Sequence, residues 1–104
     1  MSETERRGSP RCSIELPVVV RAGAESGWGL LKSVSRLGAL IESERRYEVG
    51  ASLELRVQLP GDVLDVRCQV VRTETVGGVH TLGVLFAPLT VSALAKLDSI
   101  LASS

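Results

Sequence analysis

Aromatic side chains are nearly missing from this 104-residue sequence, with one Trp, one Tyr and one Phe making 3% of the chain. A core must therefore be assembled from Val, Leu, Ile and Ala, which dominate the 44% hydrophobic content. The same scarcity argues against a barrel that binds single-stranded nucleic acid, because such grooves need several stacking aromatics. Net charge is also absent: 12 basic residues balance 12 acidic ones, so no global field draws in DNA or RNA and any anion site has to be local. Lysine is confined to Lys32 and Lys96, and every other basic residue is arginine, the side chain suited to bidentate recognition of phosphate and guanine edges.

Other absences narrow the function. Cys12 and Cys68 are too few and too far apart for a disulfide scaffold or a four-cysteine metal site, and they read as unpaired thiols. His80 is the single histidine, with no Cys or acidic cluster at ligand spacing and no activated serine near it in sequence. No glycine-rich loop ends in Gly-Lys-Ser/Thr. Glu42 and Glu44 lie in a charged connection and read as solvent-exposed. No catalytic set, metal site or cofactor site emerges, so the expectation is a protein that is not an enzyme. No apolar run reaches the roughly 18 residues a membrane span requires, and the N-terminus is hydrophilic; the expected location is the cytoplasm.

What is present is alternation. Ile14, Leu16, Val18 and Val20 share one face of an extended segment in which Pro17, lacking an N–H, predicts an edge or a bulge. A turn is expected over residues 21–27 and a short strand over 28–32, where Trp28 between two glycines reads as a core cap or as a platform for a base. Residues 33–38 interrupt the pattern, 39–41 resume it, and 42–50 form the charged connection. Leu53, Leu55, Val57 and Leu59 then alternate with polar residues and pair, around Pro60-Gly61-Asp62, with Leu64, Val66, Cys68 and Val70. Gly77-Gly78 turns the chain into a strand over 79–86. Pro88 ends that strand, and Thr90 caps a helix whose Val91, Leu94, Leu97 and Leu101 recur at helical spacing. The fold class is thus mainly β: about six short antiparallel strands closed into a barrel, with one C-terminal helix over an opening. Residues 1–12 have a composition that orders only when something pins it, and 13–104 form the folded unit.

Two short segments carry chemistry. Positive charge concentrates in Arg6-Arg7-Gly8-Ser9-Pro10-Arg11, just before the first strand, and Ser33-Val34-Ser35-Arg36-Leu37-Gly38 places small polar residues and a glycine inside a strand region. In this order, ahead of this succession of strands, they resemble the PilZ family, whose motifs are Arg-x-x-x-Arg and Asp/Asn-x-Ser-x-x-Gly; the likeness covers roughly residues 6–101. The resemblance implies a six-stranded PilZ-type barrel and a stand-alone bacterial receptor or adaptor for the second messenger cyclic di-GMP, acting in motility or biofilm regulation. By resemblance Arg7 and Arg11, assisted by Arg6, grip phosphate or guanine. Ser35 donates a hydroxyl hydrogen bond, and Gly38 lets the backbone approach. Binding would order the N-terminal segment and signal to a downstream protein partner. Ser33 stands where relatives have Asp or Asn, so it would hold guanine less firmly. The competing expectation is a degenerate PilZ-like protein-interaction module that does not bind the nucleotide. Strand edges and the helix are both open as homodimer surfaces.

Overall fold

The computed structural model describes residues 12–102. Six strands, β1 (Cys12–Ala22), β2 (Glu25–Val34), β3 (Gly38–Ser43), β4 (Ser52–Leu59), β5 (Asp62–Val76) and β6 (Val79–Phe86), precede one helix, α1 (Val91–Ala102). The strands close on themselves in the order β1-β2-β3-β6-β5-β4, each neighbour antiparallel. Closure gives every strand a neighbour on both sides, leaving overhangs at the start of β1 and the end of β5 paired on one side only, so little free edge remains to pair with other chains.

The period-2 pattern explains the core. Along β4, Leu53, Leu55 and Val57 are buried while Ser52, Glu54, Arg56 and Gln58 are exposed, and β5 answers with Leu64, Val66, Cys68 and Val70. Val18, Val20, Leu31, Ile41, Leu82 and Val84 complete the barrel interior. Each such side chain contributes about 1.5–3 kcal/mol by leaving water. Desolvation in this interior pushes the Cys68 thiol up to about 12, so it is neutral and inert as a nucleophile.

Turns fall where the sequence places them, with sharper limits. Pro60-Gly61 joins β4 to β5, with Leu59 opposite Asp62. Gly77 and Gly78 both have positive φ (59° and 80°), the condition of a twisted two-residue hairpin, and Val76 faces Val79 across it. The β1–β2 turn is tighter than the sequence suggests: residues 23–24 alone make it, because residues 25–27 join β2 opposite Val20–Ala22. Pro17 pairs with Leu30 on β2, is the last β1 residue before pairing with β4 begins at Val18, and follows a bulge between Ser13 and Leu16, so the expected irregularity lies just before it.

Three expectations about packing change. Trp28 does not cap the core; it is 64% exposed, since period 2 turns Gly27 and Gly29 inward and the indole outward. The inward position has no room, because a Cβ on Gly29 would stand 2.6 Å from the Glu42 carbonyl oxygen. The β3–β4 connection is not wholly a charged surface loop, because Tyr47 is buried in the core cluster, where desolvation lifts its hydroxyl above the usual tyrosine range. Finally, the helix presents Ala93 and Leu97 to the barrel, with Ile100 and Leu101 half-buried, while Val91 is 87% exposed. Thr90 does cap α1: its Oγ1 accepts from the Ala93 N–H at 3.0 Å.

Two polar ties accompany the burial of Ala93 and Leu97 against the barrel. Lys96 donates to the Val63 carbonyl at 2.9 Å and to Asp62 Oδ1 at 3.3 Å, beside the β4–β5 turn. Asp98 receives Arg36 from the β2–β3 turn. Both turns lie at the barrel end where β1 begins, so α1 bridges that opening with Leu97, fully buried, pointing in.

Candidate functional site

Strand register brings the second motif to the start of β1. Cys12 pairs with Val34 and Ser13 with Ser33. Arg6, Arg7 and Arg11 lie outside the described residues; Arg11 is the residue before Cys12 in sequence. On its β3 side, β2 is bulged: Leu31 faces Ile41 and Ser33 faces Leu40, leaving Lys32 as the extra residue. A bulge breaks the in-out alternation and re-aims the side chains beyond it, and here Ser33, Val34 and Ser35 are buried in succession. Lys32 donates to Glu15 Oε2 at 2.6 Å across the β1–β2 ladder. That hydrogen bond holds the Glu15 carboxyl below the usual carboxylate range and raises the lysine.

The β2–β3 turn is built by Ser35. Its N–H donates to the Gly38 carbonyl at 2.9 Å, and its Oγ accepts from Leu37 N at 3.2 Å and Gly38 N at 3.4 Å. Serine suits this place because a hydroxyl can satisfy backbone donors that the turn would otherwise orphan. Both accepting positions are then used, and the O–H proton is what the side chain has left to offer a ligand. Gly38 is demanded by the sheet itself: a Cβ there would sit 2.0 Å from the Val84 carbonyl oxygen on β6. Its smallness therefore serves β3–β6 contact, whatever else approaches it.

Arg36 and Leu37, at the tip of this turn, are exposed. Arg36 forms a two-pronged bond with Asp98 on α1, Nε to Oδ1 at 2.9 Å and Nη2 to Oδ2 at 2.8 Å. Sequence reading gives Arg36 no role; its place between Ser35 and Gly38 in the motif is the available signal. The structure thus collects Ser33, Ser35, Gly38 and Arg36 at the barrel end where β1 starts.

Two clefts in the described region are lined by other residues than those of the motif. A cleft of about 490 Å³ runs between the outer β1–β4–β5 face and the start of α1, with Arg56, Asp65 and Thr90 in its lining. Arg21, Glu54 and Arg67, consecutive across β1, β4 and β5, line both it and a neighbouring cleft. Arg56 and Asp65 bind each other there at 2.9 and 3.1 Å, which holds the Asp65 carboxyl below its ordinary range. Among the described residues no group of three or more His, Cys, Asp or Glu could hold a metal ion. His80 instead meets Thr75 Oγ1 through Nδ1 at 2.9 Å across the β5–β6 hairpin. No described helix is long and apolar enough to cross a membrane.

Comparison with known proteins places this geometry. The family model of the PilZ domain matches residues 5–103. Among solved structures, the Bacillus subtilis inhibitor of motility MotI/DgrA superposes with a TM-score of 0.78 at 17% identity, covering 94% of this chain and 50% of that one. The PilZ domain of Escherichia coli YcgR, solved with c-di-GMP, gives 0.76 at 17% identity over 94% of this chain and 90% of that one. The PilZ domain of CeSA from a cellulose-synthesizing bacterium gives 0.67 at 15% identity, covering 89% and 95%. The chain therefore spans half the length of MotI and nearly all of the isolated PilZ domains. No curated protein sequence matches it.

Proposed function

Because this chain belongs to the PilZ domain family, we propose that it binds cyclic di-GMP between its N-terminal arginines and the Ser33–Gly38 turn, and that the occupied surface is read by a protein partner. The observation that carries this reading is the β1–β2 register. Pairing of Cys12 with Val34 and of Ser13 with Ser33 brings the strand that follows Arg7-x-x-x-Arg11 alongside the second motif, more than twenty residues further on. Two arginines supply forks for phosphate or for the O6/N7 edge of guanine, and their flat faces stack on a base. The O–H proton of Ser35 is a further donor. In this reading the arginine segment of residues 1–12 closes over the ligand on the turn, and the folded unit, 13–104, serves as the platform. Such ordering on binding changes the surface available to a partner.

Support from relatives is at the level of fold and chemistry. YcgR's PilZ domain was solved with c-di-GMP and MotI is named an inhibitor of motility; by extension this chain is a non-enzymatic cytoplasmic receptor in the control of motility or biofilm formation. Ser33 sets the affinity. A serine hydroxyl in place of an Asp or Asn side chain gives up about 1–3 kcal/mol of a bidentate base contact, roughly ten- to a hundredfold.

Calorimetric titration of the full chain with cyclic di-GMP tests the reading. Saturable binding that Arg7→Ala abolishes and Ser33→Asn tightens is the expected result. Absence of binding at high micromolar ligand, in the unaltered chain and in Ser33→Asn alike, overturns it in favour of a PilZ-like module that works through protein contacts alone.

A further inference from the structure

We propose that Arg36 is shared between two partners: its guanidinium, carried here by Asp98, transfers to a phosphate of the bound nucleotide and thereby unties α1 from the β2–β3 turn. The inference rests on the cyclic di-GMP reading above and adds to it the residue through which occupancy reaches the C-terminal helix.

Placement is the first argument. Arg36 follows Ser35 directly, at the exposed tip of the turn, so it is the cation of the Ser33–Gly38 segment itself whose carboxylate partner lies on α1 and not on a strand. Lys32, the alternative, is bound to Glu15 at 2.6 Å within the β1–β2 ladder. Geometry is the second. Arg36 presents Nε and Nη2 to Asp98 as a side-on fork at 2.9 and 2.8 Å, and two oxygens of a phosphate fit that same fork. Energetics is the third. With side chains 59% and 42% exposed, the Arg36–Asp98 pair is screened and individually weak, so an anion already anchored by several other groups can displace the carboxylate.

The consequence falls on a helix with a shallow hold on the barrel. Two of its residues are buried, Ala93 and Leu97, and its polar links include Lys96 at the β4–β5 turn and Asp98 at the β2–β3 turn. Asp98 lies in the C-terminal half of α1, beyond Leu97. Loss of that tie leaves this half on the apolar contacts of Leu97, Ile100 and Leu101, so any loosening falls here, away from the Thr90 cap and Ala93.

The test combines titration with amide hydrogen exchange on the full chain, its Asp98→Asn and Arg36→Ala variants and the double variant, each first shown to be folded by circular dichroism. Asp98→Asn removes the competitor and is expected to tighten cyclic di-GMP binding about threefold. Arg36→Ala is expected to weaken it about tenfold, and Asp98→Asn is expected to add nothing in the Arg36→Ala background. Ligand should raise exchange over residues 98–102 in the unaltered chain and leave it unchanged in Arg36→Ala. If the unaltered chain binds but Asp98→Asn leaves affinity unchanged, or helix exchange ignores the ligand, the shared-arginine inference fails while the ligand reading stands. If no variant binds, both fall.

Discussion

The β4–β5 hairpin and the β2–β3 connection are built from the same kinds of residue by opposite rules. In β4–β5 the register runs unbroken from Ser52↔Gln69 to Leu59↔Asp62, and burial alternates strictly. In β2–β3 a bulge at Lys32 breaks the register, three consecutive residues are buried, and two of them are serines. Apolar side chains can be buried by alternation alone, because burial costs them nothing that needs a partner. Buried serines need local geometry that satisfies their hydroxyls, and Ser35 obtains it from the Leu37 and Gly38 amides. Regular strands thus carry the stability, and the irregular connection carries the candidate site.

The largest effect is expected in the core of the regular wall. Leu55→Ala removes a side chain 2% exposed in the barrel interior and is expected to cost about 2–5 kcal/mol. For a domain of this size that lowers the midpoint by more than about 8 °C in a thermal melt. Ligand affinity measured well below that midpoint should be unchanged. A midpoint indistinguishable from that of the unaltered chain would show that β4 is not the stabilising wall.

Gly38→Ala probes the irregular connection. Its Cβ meets a backbone oxygen, Val84 O at 2.0 Å, which cannot swing aside as a side chain can. The expected cost is about 1–3 kcal/mol, together with weaker β3–β6 pairing visible as faster amide exchange at Phe86, whose N–H donates to the Leu37 carbonyl. Unaltered stability with loss of binding would instead assign Gly38 to the ligand alone.

The smallest effect belongs to the outer face of the regular wall. Arg56 and Asp65 bind side-on but are more than half exposed, so Asp65→Asn should cost under about 1 kcal/mol in chemical denaturation. The sign with pH is fixed by the direction of the shift. Asp65 is held below its ordinary range in the folded chain, chiefly by the hydrogen bond from Arg56. Its contribution is present above the unfolded carboxylate pKa and is lost as pH falls through the lower folded one. A pH–stability curve for Asp65→Asn that parallels the unaltered chain through the acidic range would remove this pair from the account.

Six strands, their turns at Pro60-Gly61 and Gly77-Gly78, the Thr90 cap and both family motifs are legible along the chain, because period-2 alternation, turn residues and capping are local codes. Local codes end where contacts begin. The stripe of Val91, Leu94, Leu97 and Leu101 marks a helix but not its inner face: Ala93 and Leu97 are buried against the barrel and Val91 is exposed, an orientation in which Lys96 and Asp98 reach the adjoining turns. Trp28 could not be assigned to a side without the narrow interior beside Gly29.

Hydrophobic period and residue type, written position by position, are enough to specify a closed β-barrel with a terminal helix and a split arginine-and-serine motif. They do not specify that Ser33 and Ser35 are buried, that Gly38 answers to Val84 on another strand, or that Arg36 meets Asp98 sixty-two residues away. Those facts depend on barrel closure and on the bulge at Lys32, which fix distances between residues that no local pattern relates.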